Sequence, residues 1–210
     1  MENPVLILGS GSLATIALDI FKKNGVIVYG ILDEDASLHN TEIDDTPILG
    51  STDDDGFLKL IGKKCEAFVA TDDNKLKKNL TEMLIDRRHI MPVNAIHESV
   101  VFGILTEIGH GNLISAGVIV NAKAKIGHHC LIHSGVLIDR EAEIGDYVQI
   151  GPKAVIGANA AIGENTFIGS GVIIVPGIKV GKNARIGAGS VVIANVPDKA
   201  TVFGNPATKV

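Results

Sequence analysis

Tryptophan is absent from this chain of 210 residues, and aromatic residues make up only 4% of it. A core without bulky rings is built from aliphatics, which suits thin, stacked β structure better than a thick sandwich. Cysteine is scarce too. Cys65 and Cys130 lie far apart, show no metal-ligand spacing and sit in apolar surroundings, so they read as reduced core thiols of a cytosolic protein rather than a disulfide framework. No segment reaches the ~18 unbroken apolar residues that a membrane span needs. The chain opens on a short strand-like run, Val5 to Leu8, without a basic region and a long apolar stretch, so no signal peptide is expected and the expected location is the cytoplasm. Excess positive charge is missing as well. A net charge of −5 argues against a broad nucleic-acid-binding face and leaves room only for a local basic groove, as for a phosphorylated cofactor.

What is present divides into two halves with different patterns. Up to about residue 95, strand and helix signals alternate. Val5-Leu6-Ile7-Leu8 is a continuous apolar run, as expected of a strand buried on both faces. Gly9-Ser10-Gly11-Ser12 follows, then apolar residues at helical spacing from Leu13 to Lys23, closed by Gly25. Val26 to Leu32 reads as a second strand ending in Asp33-Glu34-Asp35. Cys65 to Ala70 reads as another, followed by a charged helix from about Asn74 to Arg87. This rhythm predicts a small parallel α/β unit, with ligands at the carboxyl ends of its strands, near Gly9 to Ser12, Asp33 and Asp72.

The second half has a period of six. Ile or Val occupies 108, 114, 120, 126, 132, 138, 144, 150, 156, 162, 168, 174, 180, 186 and 192 without a slip. Gly follows the aliphatic at nine of these fifteen places, and four positions after it the residue is mostly small or β-branched, as at Ala124, Cys130, Ala142, Ala154, Ala160 and Ala184. A helix cannot use this period, and a flat strand has no need of so many glycines. Short strands with a turn after each, wound so that equivalent aliphatics stack in a column, satisfy the pattern.

Repeats of the form Ile-Gly-x-x-Ala-x, together with the ending Gly204-Asn205-Pro206-Ala207, resemble the hexapeptide acyltransferases, whose left-handed parallel β-helix uses three hexapeptides per triangular coil. Five coils would run from about 108 to 197 and extend ~24 Å at the usual strand spacing. A small α/β domain before such a helix is the layout of the sugar O- and N-acetyltransferases of the sialic-acid and bacillosamine pathways. The resemblance covers essentially the whole chain. It implies a Rossmann-like domain over residues 1–95 that holds a sugar or nucleotide sugar, and a β-helix over 96–210 that transfers an acetyl group from acetyl-CoA. It also implies a homotrimer, with acetyl-CoA in the groove between adjacent prisms. Carried over to this chain, the coenzyme contacts are Gln149, Ser170 and Ala188, with Gly151, Gly169 and Gly187 letting the pantetheine arm approach backbone N–H groups. The substrate contacts are Gly9, Ser10, Gly11, Ser12, Asp33, Glu34 and Asp72. The family's glycine-rich loop usually carries a histidine where this chain has Leu13.

At the catalytic position the chain departs from that family, which uses a His followed by a carboxylate. Here the stretch reads Val136-Leu137-Ile138-Asp139-Arg140-Glu141-Ala142, so Arg140 stands where the His is expected, and Gln149 replaces a second family His. Arginine stays protonated and is no general base. One reading gives the base to another histidine: His133, adjoining Ser134 on the same 18-residue column as Ser170 and Ala188, or His128 or His129 (His110 would stack on His128 at another edge). In a second, Arg140, paired with Glu141, stabilises charge or holds an acidic substrate. In a third, the chain has lost catalysis and is a binding protein. A γ-carbonic-anhydrase-like zinc site through His128 and His133 is the remote alternative.

Overall fold

The computed structural model describes residues 3–210, which fall into two compact units, 3–98 and 99–210. The first holds a parallel sheet of β1 (Val5–Leu8), β2 (Val28–Leu32), β4 (Thr46–Gly50) and β5 (Glu66–Val69), in the order β4-β2-β1-β5. The short β3 (Glu42–Ile43) adds antiparallel to β4 at one margin. Every residue of the central β1 is buried, which is why its sequence is uninterrupted and not alternating. Helix α1 (Ser12–Lys23) buries Leu13, Ala14, Ala17, Leu18, Ile20 and Phe21, and Phe21 meets Phe68 of β5 edge to face at 5.8 Å. Leu6, Leu8, Leu32 and Val69 pack in a second cluster with Leu58 of α2 (Asp55–Leu58) and with Leu80 and Leu84 of α3 (Asn74–Arg88). The hairpin-like β3–β4 segment and α2 carry no periodic signal long enough to be read from sequence. The three elements are only two, five and four residues long.

Successive strands step outward from β1 through β2 to β4, and the chain then returns to the other side of β1 as β5. The order therefore reverses between β1 and β5, which opens a crevice at their carboxyl ends. Gly9 and Ala70 face each other there. A Cβ on Gly9 would come within 2.8 Å of the Ala70 carbonyl oxygen, and Gly9 has φ of +103°. Only glycine satisfies both demands.

The second unit is a β-helix of eighteen-residue coils. Two-residue strands pair in parallel with the strand eighteen residues on, as Leu131–Ile132 does with Gln149–Ile150 and Glu143–Ile144 with Ala161–Ile162. In each strand the second residue points inward. From Ile114 to Val192 every Ile or Val of the six-residue column is at most 4% exposed. The small residues at the following turns, Ala124, Cys130, Ala142, Ala154, Ala160 and Ala184, are buried with them. The winding starts earlier than the aliphatic column indicates. Val101–Phe102 already pairs with Ile119–Val120, with Phe102 in the column position. The prism ends in a hairpin, Thr201–Gly204 with Ala207–Lys209, in which the second strand runs antiparallel.

Three flat faces result, and their outward residues differ. One face is apolar throughout: Val101, Ile119, Leu137, Val155, Ile173 and Val191. The next presents Glu107, Lys125, Glu143, Ala161 and Lys179. The third presents Gln149, Phe167 and Arg185 before the final hairpin.

Candidate active site

In the α/β unit, the loop from Gly9 to Ser12 is held by Asp33 at the end of β2. One carboxylate oxygen of Asp33 accepts from Ser10 N at 2.7 Å and from Ser10 Oγ at 2.6 Å, and the other from Asp35 N at 2.9 Å. Burial acts to raise the Asp33 pKa, but the hydrogen bonds from Ser10 and Asp35 outweigh it, and the net shift is below the usual carboxylate value. Asp33 thus organises the loop. Both of its oxygens are engaged, one by Ser10 of that loop and the other by Asp35 just after β2. Glu34 accepts from Ser51 Oγ and Thr52 Oγ1 of the loop after β4. Gly11 caps α1 without a side-chain bond and a Cβ there would meet nothing within 4 Å, so the start of α1 directly after the loop carries no side-chain cap for its first N–H groups. Asp72 lies across it, exposed, after β5.

In the prism the predicted residues sit on different edges. Arg140 and Glu141 lie in the turn at 139–142. Ser134, Ser170 and Ala188 lie in the turns at 133–136, 169–172 and 187–190, on a second edge together with His133, Gly151, Gly169 and Gly187. His110, His128 and His129 occupy the third. The apolar face is the strip between the Arg140 edge and the Ser170 edge. Gln149 projects from the face on the other side of the Ser170 edge, half-buried.

The glycines of the Ser170 edge serve the stack itself. The N–H of Gly151 donates to Ile168 O at 2.7 Å and that of Gly169 to Ile186 O at 2.9 Å. A Cβ on Gly169 would stand 2.6 Å from Ala188 N. Their own N–H groups are therefore spent on the next coil. The backbone N–H groups of Ser170 and Ala188 have no acceptor within the chain among the described residues. One coil apart on one edge, they form a pair of outward donors.

On the Arg140 edge, Asp139 accepts from Asn121 Nδ2 at 2.9 Å and from Arg140 N at 2.7 Å. The Asn121 bond, with the Arg140 N–H second, holds its carboxyl below the usual range. Glu141 lies 3.6 Å from Lys123 Nζ. The expected Arg140–Glu141 pair does not form, because Glu141 takes a left-handed backbone conformation at φ 57° and meets the lysine one coil earlier. Arg140 is exposed, and its guanidinium makes no ion pair among the described residues.

The histidines of the third edge form a ring stack. His110 lies 5.8 Å from His128, and the buried His129 lies 4.9 Å from Tyr147. His128 Nδ1 accepts from His110 N at 3.0 Å, so its proton resides on Nε2 when the ring is neutral. His128 and His133 stand at opposite ends of the strand Leu131–Ile132, and among the described residues no three His, Cys, Asp or Glu side chains converge on a point that could hold a metal ion. Burial pushes the Cys65 thiol up to about 11, and Cys130 is buried. Neither is a nucleophile.

With this geometry in view, residues 4–84 match the family model described as the PglD N-terminal domain, and residues 141–174 and 159–194 match the bacterial transferase hexapeptide model of six repeats. PerB of Caulobacter crescentus, solved with CoA and GDP-perosamine, is 30% identical over 99% of this chain and 97% of its own, with a TM-score of 0.89. The chain belongs to the hexapeptide-repeat sugar acetyltransferases. The fold is shared with the acetyltransferase domain of PglB from Neisseria gonorrhoeae, solved with acetyl coenzyme A, at 23% identity over 100% of both chains and a TM-score of 0.89. WeeI from Acinetobacter baumannii follows at 22% identity over 99% of both chains and a TM-score of 0.86. No curated protein sequence matches the chain. The PglD-type match ends near α3, so the family assignment spans both units, each by its own signature. Two features of this member were not visible in its sequence. One is the engagement of Asp33 by its own loop, since a carboxylate's partners depend on the β1–β2 register. The other is the unbroken apolar face, whose residues stand eighteen apart and show only once the period is divided among three faces.

Proposed function

We propose that this protein transfers the acetyl group of acetyl-CoA to a sugar or nucleotide sugar, in the cytoplasm and as a homotrimer, for the synthesis of a surface glycan. The observation that carries the reading is the similarity to PerB along 99% of the chain, an enzyme whose structure holds both CoA and a nucleotide amino sugar. The apolar face supports the trimer. Six outward aliphatics in one stripe, with Ile173 43% and Val101 58% exposed, make a contiguous surface that water disfavours. Closing three such faces into a ring would set the Ser170 edge of one protomer beside the Arg140 edge of the next. Acetyl-CoA would lie along that groove with Ser170 N and Ala188 N donating to it and Gln149 beside it. The α/β crevice, with Gly9 to Ser12 on one side and Glu34 and Asp72 on the other, would hold the acceptor.

In the reaction the acceptor's nitrogen or oxygen attacks the thioester carbonyl, the carbon–sulfur bond breaks, and the acceptor's proton leaves through a base while CoA departs as thiol. His133, on the donor edge next to Ser134, is the base in this assignment. Arg140 with its unpaired charge stabilises the oxyanion that forms as the carbonyl is attacked. Glu141, engaged by Lys123, leaves that charge uncompensated. A binding protein without turnover is the second reading, favoured by Arg140 alone.

Calorimetric titration of acetyl-CoA into the purified protein, followed by thiol release with nucleotide amino sugars, tests the proposal. Micromolar binding and free CoA are expected. His133→Ala should lower turnover at least as much as Arg140→Ala, roughly 100-fold as for loss of a general base. Absence of acetyl-CoA binding would overturn the transferase reading, and binding without thiol release would favour the binding protein.

A further inference from the structure

The closing hairpin places an aromatic ring at the end of the Ser170 edge. Phe203 pairs with Thr208 across the hairpin, and its ring lies directly over Gly187, where a Cβ would collide with it. Its backbone is fixed on both sides. Gly187 N donates to Val202 O at 2.9 Å, and Gly204 N donates to the Oγ of the fully buried Ser190 at 3.0 Å. The Cδ2 side of the ring is thus packed against the Gly187 backbone, while the residue as a whole remains 56% exposed. An exposed phenyl ring held this firmly is unusual on a chain whose aromatics make up 4%. Two residues before Gly187, Arg185 projects outward with its guanidinium 5.0 Å from the Phe167 ring centroid, and it makes no ion pair among the described residues.

Along this edge the order is His133, Gly151, Gly169, Gly187 and then Phe203, four coil spacings in all, or ~19 Å at about 4.8 Å each. The open N–H groups of Ser170 and Ala188 lie between the two ends. A thioester at the His133 end and a planar heteroaromatic base at the Phe203 end match the two termini of an extended acyl-coenzyme, with a phosphate-bearing stretch passing Arg185.

We propose that Phe203 is the platform on which the adenine of acetyl-CoA stacks, with Arg185 the partner of its phosphates. This rests on the acetyl-CoA reading above and adds the residues that select the nucleotide end of the donor. It gives the Gly204-Asn205-Pro206-Ala207 ending a task, since that turn holds the strand carrying the ring. Purine stacking on an aromatic side chain depends on the flat face of both rings, so an aliphatic of similar bulk is no substitute.

The test uses the full chain. Saturation-transfer NMR of wild-type protein with acetyl-CoA should show the strongest transfer at adenine H2 and H8. Phe203→Leu, which keeps bulk over Gly187, should bind acetyl-CoA about ten-fold more weakly by calorimetry, the range expected for one lost base–aromatic stack. It should also lose the adenine signals preferentially over those of the pantetheine methyls, while Phe203→Trp keeps both affinity and signals. Wild-type affinity in Phe203→Leu, or weak adenine transfer in the wild type, overturns the platform and leaves the donor reading standing. No acetyl-CoA binding by wild-type protein overturns the donor reading, and the platform with it.

Discussion

In the α/β unit no two elements are alike. The bonds that shape its candidate site join residues far apart in sequence, as Ser10 and Asp33 are joined across 23 positions. In the prism every position returns after eighteen residues, and each strand pairs only with the coil before and the coil after. The first region is held by one shared core and the second by a sum of nearest-neighbour interfaces. A repeat of this kind assigns the same structural duty to every coil. Chemistry therefore has to enter where coils differ: at Arg140 in a column otherwise made of Ile104, Ala122, Ala158 and Pro176, and at Phe203 after a column of glycines.

The sharpest way to break this comparison is through glycine. Gly169→Val forces side-chain atoms into Ala188 N of the next coil. It should destabilise by about 3 kcal/mol or more, since overpacking against backbone has nowhere to relax. Gly11→Ala, with open space around it and only a cap preference at stake, should cost no more than about 1 kcal/mol. Urea denaturation of both variants measures the contrast, and equal costs would mean that the coils are not in rigid register.

A second substitution separates intra-chain packing from association. Ile173→Asp alters an outward residue that touches no column neighbour inward. It should leave the circular dichroism spectrum intact while converting the proposed trimer to single chains of 22.0 kDa in light scattering, because a charge buried in an apolar interface is left without a partner. A trimer that survives this change would move the interface to another face.

The last contrast belongs to the α/β unit. Asp33→Asn leaves one acceptor oxygen where Ser10 and Asp35 engage two and should cost about 1–2 kcal/mol. Because the folded-state pKa of Asp33 lies below its ordinary value of about 3.9, the stability it lends is fully present above that value. It is lost as pH falls through the lowered one. Thermal melts from pH 5 downward should therefore converge for wild type and variant, and parallel curves would show that the carboxylate charge is not what holds the loop.

How much of this was legible in the sequence follows the same division. The column from Ile114 to Val192 could be read residue by residue, because one inward position per hexapeptide leaves no freedom in register. Helix α1 was placed within one residue of its start for a related reason, the amphipathic spacing after Gly11. Strand β4 and α2 were not foreseen, since four or five residues give no period to count. The site was legible only in part. Ser170 and Ala188 share an edge, as their spacing of eighteen requires. The separation of His133 from Arg140 by one strand, and the diversion of Glu141 to Lys123, depend on which corner of the triangle each turn occupies and on left-handed backbone at Glu141. Phe203 escaped because the hairpin breaks the period, so counting by six or eighteen no longer says what lies over Gly187.

The hairpin that ends the prism has a further consequence for what the molecule avoids. A stack of parallel coils finishes on a rung whose outer N–H and C=O groups would otherwise invite another strand, from a second molecule as readily as from its own chain. By turning back at Asn205-Pro206, the chain lays Ala207–Lys209 antiparallel over part of that rung. The new margin on this face is three residues long and includes Lys209. A template that propagates by adding identical parallel strands finds there a short segment of the wrong polarity.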